Sequence, residues 1–117
     1  LPTEYQPLLV RDATVDDIPA LAAVRSSAAL HKGRLRDAQN PTFRYFVMRH
    51  GEQVVGFLSL VFRRPASWLN ADDTWHLPEI NDLYVAEAER GKGYGTLAIR
   101  AMERIATEAG HQQLYIS

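Results

Sequence analysis

Leu8-Leu9-Val10 is a short apolar run that can open a strand. Behind it Thr14 stands three residues before Asp17, a hydroxyl-then-acid spacing that starts helices. Ile18, Leu21, Ala22 and then Val24 or Arg25 recur at helical spacing, which predicts a helix to about Ser27. A weaker, shorter helix is expected from Leu30 to Ala38, stopped by Asn40-Pro41. The period then changes. Phe43 to Met48 and Val54 to Phe62 are rich in aromatic and β-branched residues, and His50-Gly51-Glu52-Gln53 separates them, which predicts an antiparallel hairpin. Gly56, inside the second run, marks a bulge, a close backbone approach or a neutral filler. A polar loop from Arg63 to Trp75 leads to a further strand, from Leu77 or Pro78 to Val85.

Beyond the glycines at 91, 93 and 95 a helix is expected to bury Ala98, Met102, Ile105 and Ala109. Its other face carries Arg100, Glu103, Arg104 and Glu108, and Gly110 sits where a C-terminal cap belongs. Gln113 to Ser117 reads as a last strand, so strand, helix and strand form one βαβ unit. The order β-α-α-β-β-β-α-β is a mixed α/β fold, α+β-like in character. No repeat or linker divides the 117 residues, so one domain is expected over 1–117.

Composition narrows the function. Thirteen basic and fourteen acidic residues give a net charge of −1, against the basic face that nonspecific nucleic-acid binding needs. The absence of cysteine excludes a disulfide framework, a thiolate zinc site and a cysteine nucleophile. No apolar run approaches the roughly 20 residues of a membrane helix, and Leu1-Pro2-Thr3-Glu4 does not open a signal peptide. A soluble, cytoplasmic protein without membrane or nucleic-acid partners is expected.

The chemistry concentrates at Arg90-Gly91-Lys92-Gly93-Tyr94-Gly95, between a strand and a helix. First-turn amides of a helix have no internal partners, the helix dipole presents positive charge there, and glycines let a ligand approach the backbone. Arg90 and Lys92 add formal charge. This is an anion site suited to phosphate, with a Gly-rich helix entry bearing two solvated cations as the plain alternative. Walker spacing is absent, and the dinucleotide fingerprint would need its third glycine at Thr96.

A third pattern fits. Arg90 to Gly95 matches Arg/Gln-x-x-Gly-x-Gly/Ala position by position, after the strand Ile80-Asn81-Asp82-Leu83-Tyr84-Val85. This resembles the pyrophosphate loop of the GNAT superfamily of acyl-CoA-dependent N-acyltransferases, and the resemblance covers roughly residues 8–117. It implies a central, mostly antiparallel sheet with helices on both faces, and acetyl-CoA as co-substrate. Main-chain groups of Leu83, Tyr84 and Val85 would meet the pantetheine arm. The amides of Arg90, Gly91, Lys92, Gly93, Tyr94, Gly95 and Thr96 would hold the pyrophosphate, and an N–H near Val85 would face the thioester oxygen.

The implied reaction is transfer of an acetyl group to a primary amine by direct attack in a ternary complex. Deprotonating a lysine-type amine at pH 7 costs about 4.6 kcal/mol, so a carboxylate base helps. Glu79, eleven residues before Arg90, stands where some relatives carry that base; Asp82 is the second candidate and Asn81 the third. Strand alternation puts Glu79 and Asn81 on one face and Asp82 on the other, unless a bulge intervenes. An ordinary solvated acid is the alternative for Glu79. Members usually continue into a further helix and strands that supply a tyrosine to protonate the leaving thiolate. That section is expected to be missing from the sequence given, and Tyr115 does not take over its role. An acyl-CoA-binding regulatory module without efficient turnover is therefore the alternative function. A small-molecule or peptide amine is the expected acceptor, and homodimerisation through sheet or helix surfaces is a further expectation.

The remaining polar residues give weaker signals. His31, His50, His76 and His111 are scattered, and His76 with Glu79 is more simply a pair of surface residues than a metal site. Ser59 lies outside any Gly-x-Ser-x-Gly elbow. Arg63-Arg64 and Asp72-Asp73 belong to the polar loop, and Trp68 and Trp75 are candidates for lining an acceptor pocket.

Overall fold

The computed structural model describes residues 7–62 and 77–116. The expectations for Arg63, Arg64, Trp68, Asp72, Asp73, Trp75 and His76 lie outside them. The period-two runs form a five-stranded sheet in chain order: β1 (Leu8–Asp12), β2 (Phe43–His50), β3 (Gln53–Val61), β4 (Glu79–Val85) and β5 (Tyr115–Ile116). The first four are mutually antiparallel, while β5 returns parallel to β4 through helix α3 (Tyr94–Glu108).

Alternation along β2 and β3 feeds two separate cores. On one face Phe46, Met48, Leu58, Leu60 and Ile80 pack against Ala98, Ala101 and Met102 of α3. On the other, Tyr45, Val47 and Phe57 pack against Leu21 of α1 (Ile18–Val24), with Leu30 and Leu35 of α2 (Ala28–Asp37) beside them. The sheet is thus covered on both faces.

Three local details differ from the sequence reading. The first expected helix splits: Val15–Asp17 is a 3-10 turn, and Arg25 turns extended (φ −138°, ψ 115°) instead of continuing α1. Ser27 then caps α2, its hydroxyl accepting the Leu30 N–H at 3.1 Å, so α2 begins at Ala28. In α3 the buried stripe is Ala98, Ala101, Met102 and Ala106; Ala109 is exposed, because the helix ends there and Gly110 turns away at φ 93°. The last strand pairs only over Tyr115–Ile116.

The hydroxyl-then-acid start has a second use. Asp17 accepts the Thr14 N–H at 2.7 Å and takes both Arg11 guanidinium nitrogens at 2.8 Å, tying β1 to the start of the helical segment. The Arg11 hydrogen bonds hold the buried Asp17 carboxyl below the usual carboxylate range, with burial opposing and the Thr14 amide assisting. A depressed folded-state pKa contributes stability that is present above the unfolded carboxylate value and lost as pH falls through the folded one. Asp17→Asn is therefore expected to cost about 1–2 kcal/mol at pH 7, solvent at Arg11 trimming the full value of a charged hydrogen bond. The deficit should begin to shrink below about pH 4, where the unfolded-state carboxyl protonates, and keep shrinking as pH falls through the lower folded-state value; urea midpoints across pH 3–7 check both signs.

Candidate functional site

β4 carries the site, and it does so through an irregularity. From Ser59↔Asn81 to Phe57↔Tyr84, β3 advances two residues while β4 advances three. The extra residue is Asp82, in the left-handed region at φ 57°, which aspartate tolerates better than most residues. The bulge changes which side chains share a face. Glu79, Asn81 and Tyr84 register with Val61, Ser59 and Phe57, and Tyr84 packs into the α1/α2 core, whereas Ile80, Leu83 and Val85 pack toward α3. Asp82 reaches Arg34 of α2 in an ion pair, so it joins Glu79 and Asn81 on the α1/α2 side. The face opposition drawn from strict alternation is thereby corrected, and the three candidates lie along one side of one strand. Glu79 is buried at 6% exposure, unlike a solvated strand-end acid.

β5 pairs with β4 at Glu79 and Ile80. At the other end of β4 Ala86 donates its N–H to Val55 at 2.7 Å, toward β3, and alternation turns the Val85 N–H the opposite way. The Val85 carbonyl is taken by Arg90 Nε at 2.9 Å. β3 accommodates this end of β4 through Gly56: a methyl group there would overlap the Tyr84 carbonyl oxygen and stand 3.1 Å from Met48 Sδ and 3.2 Å from Val85 Cα. Of the readings open for Gly56, the close backbone approach is realised, and a bulge lies beside it as well, Val55 being the extra residue between the Met48↔Gly56 and Arg49↔Val54 pairs.

The glycine loop follows a 3-10 turn at Glu87–Glu89. Gly91 and Gly93 adopt φ 83° and 84°, and a methyl group at either would stand in open space, so the dihedral and not crowding calls for glycine. Gly93 caps α3 without a side chain, and the first helical bond runs from Leu97 N–H to Gly93 at 3.1 Å. The amides of Tyr94, Gly95 and Thr96 are left without intrahelical partners beside two side-chain-free positions, which suits a phosphate. The two loop cations contribute less than expected. Lys92 is paired with Glu89 at 2.7 Å and holds that carboxyl below its ordinary value, while Gln53 donates to the same group at 3.2 Å. Arg90 folds back over the Tyr84 ring, 5.1 Å from its centroid. The cradle is built from main chain.

Sequence reasoning did not anticipate Arg25, whose guanidinium lies 5.4 Å from the same ring centroid, nor Arg34 and its ion pair with Asp82. It also left His31 among scattered histidines. In the fold His31 is fully buried against Tyr45 and Phe57. No local motif marks these residues, because their partners are far away in sequence.

A family model described as the acetyltransferase (GNAT) family matches residues 11–117. The chain belongs to the GNAT family of acetyltransferases. Solved structures agree at the level of fold. An aminoglycoside 6'-N-acetyltransferase from Acinetobacter haemolyticus superposes with a TM-score of 0.74 at 17% identity, over 93% of this chain and 78% of that one. An aminoglycoside N-acetyltransferase in complex with CoA gives a TM-score of 0.77 at 15% identity, over 100% of this chain and 80% of the other. A ribosomal-protein-alanine N-acetyltransferase from Brucella melitensis gives 0.67 at 16% identity, over 95% and 79%. No curated protein matches the chain in sequence. The acceptors named for these GNAT structures differ, so the shared fold does not select one. Among the described residues no helix is long and apolar enough to cross a membrane.

The crowding at Gly56 makes a direct prediction for this GNAT chain. Gly56→Ala should cost about 1–3 kcal/mol, the usual range for overpacking, because the added methyl meets backbone of β4 that cannot rotate away. Gly91→Ala, with open space around it, should show only the smaller dihedral penalty, of about 1 kcal/mol. Chemical denaturation of the two variants side by side separates the effects.

Proposed function

We propose that the chain transfers the acetyl group of acetyl-CoA to a primary amine by direct attack in a ternary complex. The observation that carries this reading is the side-chain-free amide cradle at the start of α3, set directly after the bulged strand β4. The amides from Arg90 through Thr96 take the pyrophosphate. Main-chain groups of Leu83, Tyr84 and Val85 take the pantetheine arm, and the outward Val85 N–H faces the thioester oxygen as negative charge develops there.

The acceptor reaches the thioester from the α1/α2 side, where Glu79, Asn81 and Asp82 lie. The amine nitrogen forms the C–N bond, the C–S bond breaks, the nitrogen gives up a proton and the thiolate takes one up. Glu79 accepts the nitrogen's proton. It lies six residues before Val85, about 20 Å at strand rise, so the proton reaches it through a chain of waters and not by contact. Asp82 is nearer, but Arg34 already occupies its carboxylate, which leaves it second in rank for the base. A small molecule and a peptide N-terminus or side chain both fit as acceptors in this scheme.

Calorimetric titration with acetyl-CoA tests the donor side. Binding to the wild type, and its loss in Gly93→Trp with the fold intact by circular dichroism, is the expected pair of results. A folded wild type that binds no acetyl-CoA overturns the reading. With an amine that turns over, Glu79→Gln is expected to lower kcat by about 100-fold or more and to flatten the rise of rate with pH. An unchanged rate and pH profile under chemistry-limited conditions removes Glu79 from the mechanism. Tight binding with no turnover of any amine would favour an acyl-CoA-binding regulatory module instead.

A further inference from the structure

Arg25 forms the elbow between α1 and α2, and every polar group of its backbone is committed. Its N–H donates to the Leu21 carbonyl at 2.9 Å, and its own carbonyl accepts the Ser27 N–H at 2.7 Å and faces His31 Nε2 at 3.1 Å. A carbonyl only accepts, so Nε2 carries a proton, and Nδ1 shares a hydrogen bond with the Tyr45 hydroxyl at 2.6 Å. Burial holds the Tyr45 phenol well above its ordinary pKa, keeping it protonated. Through fully buried His31 the elbow is thus anchored to the middle of the sheet.

It is the backbone that is held this way; the Arg25 side chain is exposed and has no ion-pair partner among the described residues. Its guanidinium shares the Tyr84 ring with that of Arg90, at 5.4 and 5.1 Å from the centroid. The nearby carboxylate, Asp82, already serves Arg34. Beside Tyr84 the Arg25 guanidinium therefore presents open donors, and a planar guanidinium fork matches a carboxylate. The phosphate cradle opens at the start of α3, whose core lies against the other sheet face. Arg25 comes instead from the side assigned to the acceptor.

We propose that Arg25 recognises a carboxylate on the acceptor, so that the substrate class is an amine that also bears a carboxylate, as in an amino acid, and not a polycation. This rests on the acetyl-transfer reading. The test uses a panel of α- and ω-amino acids, each paired with its carboxamide, at saturating acetyl-CoA with thiol release as the readout. Wild type is expected to favour acids over amides by about 10- to 100-fold in kcat/KM, the worth of one charge-assisted hydrogen-bond pair. Arg25→Gln should bring that ratio close to one, chiefly through KM, and Arg25→Lys should retain part of it. Calorimetric affinity for acetyl-CoA should stay the same in both variants.

Equal turnover of acids and amides by the wild type overturns the proposal, as does an acid preference that survives in Arg25→Gln. So does acetyl-CoA binding without turnover of any acid. Weakened acetyl-CoA binding in Arg25→Gln assigns the guanidinium to the donor and overturns it as well. A folded wild type that binds no acetyl-CoA shows instead that the acetyl-transfer reading has failed, and this proposal falls with it.

Discussion

The single extra residue in β4 is the constraint on which the site depends. A strand has two faces, and strict alternation shares its side chains equally between them. Here Asp82 breaks the count, so that Asn81 and Asp82 fall consecutively on the α1/α2 side while Leu83 and Val85 still reach the α3 core. Without the extra residue, Tyr84 would point into α3 and Leu83 into the opposite core. The left-handed backbone at Asp82 is held by the Arg34 ion pair on one side and by the approach of β4 to Gly56 on the other.

Much of this is readable from the chain. Period-two runs locate the hairpin and β4, the glycine spacing locates the left-handed turns that open α3, and the strand-loop-helix order identifies the family. These signals are local: each is carried by residues within a few positions of one another. Gly56 is ambiguous in sequence because a close approach, a bulge and a filler look alike until the neighbouring strand is placed. Strict alternation places Glu79 and Asn81 together correctly but puts Asp82 on the wrong face, for a related reason. A bulge has no dependable residue signature, and one uncounted residue reverses every side chain beyond it.

The charges are less legible still. Arg90 and Lys92 look like ligands for phosphate, yet one folds onto Val85 and Tyr84 and the other pairs with Glu89. Arg25 and Arg34 look like ordinary solvated cations of two helices, yet they converge on β4 from more than forty residues away in the chain. Long side chains settle by tertiary contact, and hydrophobic periodicity says nothing about where their ends come to rest. His31 illustrates the cost of reading polarity as exposure, since two hydrogen bonds make its complete burial tolerable.

The division of the core by the sheet has a consequence for how such a chain can change. Side chains packed against α3 and those packed against α1 and α2 share few neighbours, so substitutions on the two sides should combine additively in stability. Drift on the helical elbow side then leaves the glycine cradle undisturbed, and one donor apparatus can be inherited intact while the opposite face is rewritten for a new acceptor. Folds matching this one at 15–17% identity carry names with different acceptors, which is the pattern that such separable faces permit.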